Sequence, residues 1–172
     1  MDFFNYTRRR SSEVQIGNTP LGKNHPIRIQ SMTNTPTQET GPSVEQCIRI
    51  IEKGADYVRL TAQGTREAEN LAAIEEELHR RGYHTPLIAD IHFNPHVAEV
   101  AACIVEKVRI NPGNFIEKKG ISGTDGYTEE DYTAEKQRLR ERFVRLLDIC
   151  RTHHTAIRIG VNHGSLSERI MS

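Results

Sequence analysis

Four short runs place an arginine between large aliphatic residues: Ile27-Arg28-Ile29-Gln30, Val58-Arg59-Leu60-Thr61, Val108-Arg109-Ile110-Asn111 and Ile157-Arg158-Ile159-Gly160. Each run otherwise reads as a buried strand. Side chains alternate faces along a strand, so the aliphatics point one way and the arginine the other. A charge in a buried strand is costly unless something pairs with it. Guanidinium forks suit bidentate contacts to phosphate. Arg59, Arg109 and Arg158 sit close to their strand ends and are expected to reach a shared anion. Arg28 lies earlier in its strand and is expected to be structural.

Further polar groups follow the same strands. Asp90 and His92 are two apart, share a face, and could recognise a hydroxyl or assist acid–base chemistry. Carboxylate and imidazole are also metal ligands, but two on one strand make a weak metal signal. Asn111-Pro112-Gly113-Asn114 and Asn162-His163-Gly164-Ser165 combine an amide with a glycine-containing turn before a helix, where backbone N–H groups can face an anion. Asn-Pro-Gly is also an ordinary turn. The loop Ser31-Met32-Thr33-Asn34-Thr35 is rich in hydroxyls and reads as a substrate loop or a capped linker.

The elements that must position these groups alternate strand and helix. Strands are expected at 27–32, 57–61, 87–91, 107–111 and 156–161. Helices are expected from Ser43 to Gly54, from an N-cap at Thr65 to about Arg81, after Asn94-Pro95, and from Glu129 to Arg151. Val44, Cys47, Ile48 and Ile51 follow the i, i+3, i+4, i+7 spacing of one apolar helix face. Residues 1–26 precede this rhythm and include a short hairpin around Asn18-Thr19-Pro20. A polar stretch from Glu117 to Thr128 reads as an excursion, and 167–172 as the opening of a further helix.

Such alternation implies a parallel sheet, with the polar loops at the strand C-termini as the working face. Arginines on the inner face favour a barrel over an open sheet covered on both sides. The expected fold is therefore α/β, a parallel (β/α) TIM-barrel type that is incomplete. It has about five βα units in residues 27–172, the first part of a (β/α)8 substrate-binding barrel.

Composition narrows the function. The 172 residues carry Lys+Arg 23 and Asp+Glu 23, a balance that speaks against nucleic-acid binding. No apolar run approaches the ~20 residues of a membrane span, and the start lacks the order of a signal peptide. Cys47, Cys103 and Cys150 are widely spaced and are expected as core thiols of a reducing compartment, the cytoplasm.

Taken together, Gln30-Ser31-Met32-Thr33-Asn34-Thr35, Gly54-Ala55-Asp56-Tyr57-Val58-Arg59, Pro86-Leu87-Ile88-Ala89-Asp90-Ile91-His92-Phe93, Lys107-Val108-Arg109-Ile110-Asn111-Pro112-Gly113-Asn114 and Arg158-Ile159-Gly160-Val161-Asn162-His163-Gly164-Ser165-Leu166 occur in order. This set resembles the 4-hydroxy-3-methylbut-2-enyl diphosphate synthase family, over roughly 14–172. The long span between Asn114 and Arg158, with His163, resembles its long plant and Bacteroidetes form. The resemblance implies reductive ring opening of 2-C-methyl-D-erythritol 2,4-cyclodiphosphate in isoprenoid biosynthesis, with electrons from ferredoxin or flavodoxin. It implies a [4Fe-4S] cluster in a C-terminal domain outside this chain, no metal or cluster bound here, and a homodimer of the full-length enzyme. It implies that Arg59, Arg109 and Arg158 bind the diphosphate, and that Asp90, His92, Asn111 and Asn162 line the same mouth. The chain alone is then expected to be inactive. Rival readings are a dihydropteroate-synthase-like pterin-binding transferase barrel and a non-catalytic anion-binding half-barrel.

Overall fold

The computed structural model describes residues 9–92, 94–114 and 129–161. Its strands are β1 (Gln30–Met32), β2 (Tyr57–Ala62), β3 (Leu87–Ile91), β4 (Lys107–Ile110) and β5 (Ala156–Ile159), and its helices are α1 (Thr40–Glu52), α2 (Thr65–Arg80), α3 (Pro95–Ala102) and α4 (Glu129–His153). All neighbouring strands are parallel, in the order β1-β2-β3-β4-β5. Strand order therefore follows chain order without a reversal, the pattern of a barrel wall rather than of a doubly wound sheet. The 117–128 excursion, the 162–165 turn and the start of a further helix lie outside the described residues.

Alternation sorts the strands as their sequence requires. Val58, Leu60, Ala62, Leu87, Ala89, Ile91, Val108 and Ile110 join Val44, Leu71, Ile74, Val97, Ala101 and Leu146 in one buried cluster between sheet and helices. Tyr57 and Ile88 face the other way and bury a second, small cluster with Ile16. Ile16 belongs to the lead-in, where Val14 and Leu21 form one antiparallel bridge. Tyr57 donates its hydroxyl to the Thr19 carbonyl (2.6 Å). The expected hairpin thus covers the N-terminal end of the sheet's inner face.

Several boundaries differ for local reasons. β1 begins at Gln30, not Ile27, and Ile27 is 86% exposed. Ahead of it the chain is held by Asp56, whose carboxylate accepts from Ile29 N–H (2.8 Å) and from Arg28 (3.2 Å). Arg28 Nε also donates to the Pro20 carbonyl. Its structural role is therefore visible, at the end of the sheet opposite the strand C-termini. α1 starts at Thr40, because Pro42 in a first turn forfeits no intrahelical bond. Gly64, not Thr65, is the N-cap of α2, and the Glu67 carboxylate accepts from the Gly64 and Gln63 N–H groups. Asn94 caps α3 as expected, accepting from His96 N–H (3.0 Å) with Pro95 at the first helical position.

Candidate functional site

The strand C-termini bring charged groups together on the inner face. Asp90 of β3 is in register with Thr61 of β2 and Arg109 of β4, and Arg109 with Arg158 of β5. Asp90 is 2% exposed. One of its oxygens accepts from Arg59 and lies 3.2 Å from His92 Nε2, and the other accepts from Arg109 (3.3 Å). A carboxylate buried this deeply requires such partners. It therefore fixes two guanidiniums from neighbouring strands at one place. For Arg59 and Arg109, pairing with an acid and convergence are one arrangement.

The cluster is not charge-balanced. Arg59, Arg109 and the exposed Arg158 share the face with Asp90, as does Lys107, which is one layer below Arg109 and Arg158 and level with Arg59. Arg59 Nε is buried with no hydrogen-bond partner. Such a donor is costly to leave unmade and is suited to a further acceptor. Arg109 also donates to the Gly160 carbonyl (3.2 Å), and its guanidinium lies so close over Gly160 that a Cβ there would collide with it.

His92 joins through Asp90. Its Nε2 lies 3.2 Å from the Asp90 carboxylate, which holds the imidazole beside the arginines. Asn111 is buried, and its side-chain oxygen accepts from Gly113 N–H (3.1 Å), capping the Pro112–Asn114 turn. Its carbonyl oxygen is therefore partly committed to the turn, as the ordinary-turn alternative has it. Asn162 lies outside the described residues. The 31–35 loop is pinned to α1: Gln46 accepts from Asn34 and Thr35 N–H groups (both 3.0 Å) and donates to the Asn34 side chain (2.6 Å). This geometry matches the capped-linker alternative.

Two residues escaped the sequence reading. Lys107 sits two before Arg109 and so shares its face, a signal present in the alternation itself. Gly160 was visible only as the last letter of the fourth run, since close approach of a guanidinium leaves no mark in sequence.

The cysteines divide. Cys47 and Cys150 are buried core thiols, with pKa pushed up to about 12 and about 11 by burial. Cys103 is exposed, contrary to expectation: at the C-cap, still in helical geometry, it lies off the buried stripe of Val97, Ala98, Ala101 and Ala102. Among the described residues no three His, Cys, Asp or Glu side chains are placed to hold a metal ion. The donors among the described residues do not fit an iron–sulfur cluster.

A parallel sheet in chain order, helices on one face and converging strand-end arginines on the other define a TIM-type (β/α) barrel. Within that class the chain belongs to the GcpE TIM-barrel domain family, whose pattern matches residues 11–172. A 4-hydroxy-3-methylbut-2-en-1-yl diphosphate synthase (flavodoxin) of Phocaeicola vulgatus is 62% identical over 172 residues, all of this chain and 28% of that protein. The Parabacteroides distasonis protein of the same name is 60% identical with the same coverage. A chloroplastic synthase (ferredoxin) of Oryza sativa is 47% identical over 166 residues, covering 96% of this chain and 22% of that protein. The chain thus spans under a third of the length of these relatives. Among solved structures, Xanthomonas albilineans dihydropteroate synthase aligns with a TM-score of 0.48 at 18% identity, covering 91% of this chain and 67% of that one.

Proposed function

We propose that this chain is the substrate-holding part of the barrel of a long-form 4-hydroxy-3-methylbut-2-en-1-yl diphosphate synthase. The whole protein would open the ring of 2-C-methyl-D-erythritol 2,4-cyclodiphosphate reductively. The observation that carries this reading is the Arg59–Asp90–Arg109 cluster, with its cationic excess and the unsatisfied Arg59 Nε. The guanidiniums hold the diphosphate by charge-assisted hydrogen bonds. Asp90 keeps them aligned before the ligand arrives, so binding spends little on ordering long side chains. His92 and Asn111 meet the hydroxyl-bearing side of the ligand, and Asn162, outside the described residues, is proposed as a further ligand contact.

An iron–sulfur cluster held by the rest of the protein would supply the redox chemistry of the ring opening. This chain's share is binding and orientation, so the chain alone has no turnover. The bacterial relatives' names specify flavodoxin and the rice relative's ferredoxin; the electron donor is proposed to be a carrier of that kind, and the full protein a homodimer. No helix among the described residues is long and apolar enough to cross a membrane. Three free thiols suit a reducing compartment, and we place the protein in the cytoplasm.

Binding of the cyclodiphosphate to the full-length protein, measured by calorimetry, tests this reading. Arg59→Met and Arg109→Met should each weaken it by roughly 10- to 100-fold, the range of a charged hydrogen bond. Unchanged affinity in both variants would refute it, as would a preference for a pterin.

A further inference from the structure

Lys107 is the inner-face cation that the cluster does not use. It opens β4 in register with Ile88 and Ala156, and it is 6% exposed. Ile88 and the partly buried Ala156 lie at its level and form one apolar cluster with Tyr57, a layer lower, and Ile16. Its ammonium lies 4.8 Å from the centroid of the Tyr57 ring. A buried ammonium is expensive without a counter-ion, and a cation–π contact offsets only part of that cost. Among the described residues the acids of this face are engaged elsewhere: Asp56 with Arg28 and Ile29, Asp90 with Arg59, Arg109 and His92. The charges that Lys107 feels most are Arg158 and Arg59, both of its own sign. The fold therefore maintains a positive charge beneath Arg109 and Arg158 and level with Arg59, against both desolvation and repulsion.

We propose that Lys107 is a positioning residue for the anionic ligand, an electrostatic floor whose counter-charge is the bound diphosphate rather than any protein carboxylate. This rests on the anion-binding reading of the mouth. One layer of a strand is about 6.6 Å, so the ammonium acts through space and through the arginines it repels upward, without touching the ligand. In a partly dry site that distance still gives an interaction of about tenfold in affinity or more.

Protonation gives the readout that a packing role would lack. Burial, then Arg158 and Arg59, pulls the Lys107 pKa down to about 8. The groups that face it are Tyr57 and Arg59 from β2, Asp90 from β3, Arg109 on its own strand and Arg158 from β5, with Arg28 and Asp56 beyond the Tyr57 ring. An anion bound above it restores the proton, so binding near pH 8 is coupled to proton uptake.

The test is calorimetric titration of the full-length protein with inorganic pyrophosphate at pH 7 and pH 9, in buffers of different ionisation enthalpy. The parent protein should take up more protons near pH 8 than Lys107→Met; the titration of pyrophosphate itself cancels in that difference. Lys107→Met should weaken binding about tenfold at pH 7 and less at pH 9, and Lys107→Arg should flatten the pH profile. Equal proton uptake in parent and Lys107→Met, or unchanged affinity in Lys107→Met at pH 7, overturns the proposal. If Lys107→Met does not fold, a parent protein whose affinity is flat from pH 7 to pH 9 after correction for the ligand's own titration overturns it equally. Arg109→Met separates the two readings. Loss of binding there with none in Lys107→Met sinks only the role of Lys107, whereas no loss in Arg109→Met and Arg59→Met alike sinks the anion site itself.

Discussion

Gly160→Ala is the smallest change that should disable the mouth. Gly160 follows β5, and the Arg109 guanidinium rests against its backbone. An alanine Cβ would lie 2.8 Å from one terminal nitrogen of Arg109 and 3.0 Å from Cζ, and nearer still to Nε. Favourable non-bonded contact begins at roughly 3.5 Å, so the guanidinium must retreat by about 1 Å. A shift of that size undoes the 3.3 Å bond to Asp90 and the 3.2 Å bond to the Gly160 carbonyl. One charge-assisted hydrogen bond is worth about 1.5–3 kcal/mol, so displacing Arg109 should cost roughly 10- to 100-fold in pyrophosphate affinity. The assay is calorimetry on the full-length protein, with a double-mutant cycle against Arg109→Ala. In the Arg109→Ala background the obstacle is gone, and Gly160→Ala should add no more than about 0.5 kcal/mol. A folded Gly160→Ala protein with parental affinity would refute the reasoning, and so would a full loss that persists without Arg109.

Two further outcomes are expected. Asp90→Ala leaves two guanidiniums uncompensated, each only partly solvated; breaking a buried pair costs about 3–5 kcal/mol, and their residual exposure reduces this to about 2–3 kcal/mol. Urea unfolding of Asp90→Ala reads that loss, and an unchanged midpoint contradicts the counter-ion role. Burial, then Glu106, raises the Glu75 carboxyl to a pKa of about 7 from 4.5. The folded chain then binds more protons than the unfolded one between these values, so this stabilisation is present at low pH and is lost as pH rises through about 7. Glu75→Gln should raise the melting temperature at pH 8 more than at pH 5, and an equal change at both would contradict that sign.

The chain's own periodicities carried most of the fold. β3 runs from Leu87 to Ile91 as its alternation and its Pro86 boundary imply, and Asn94-Pro95 starts α3 where cap chemistry puts it. The ends of β1 were less legible. Ile27 and Ile29 have the composition of a buried strand, but composition does not say whether anything covers that face, and both are exposed. For the site, the alternation placed Arg59, Asp90, His92 and Arg109 on one face, and the structure brings these four together. The sequence did not reveal that one carboxylate would serve both arginines. That depends on strand register, which no single strand encodes. Cys103 shows another limit, since it lies next to the buried stripe of Val97, Ala98, Ala101 and Ala102 but off it, and is exposed.

The sheet's chain-order pairing also bears on how the site comes into being during synthesis. A strand leaving the ribosome always finds its partner already made, one helix earlier, so the wall can grow from a single advancing edge without waiting for distant sequence. Arg59 is in place before Asp90 emerges, and Asp90 before Arg109. No guanidinium beyond the first need be buried on the growing sheet ahead of its carboxylate. Translation order thus spares the nascent wall the like-charge repulsion that the finished mouth holds in reserve.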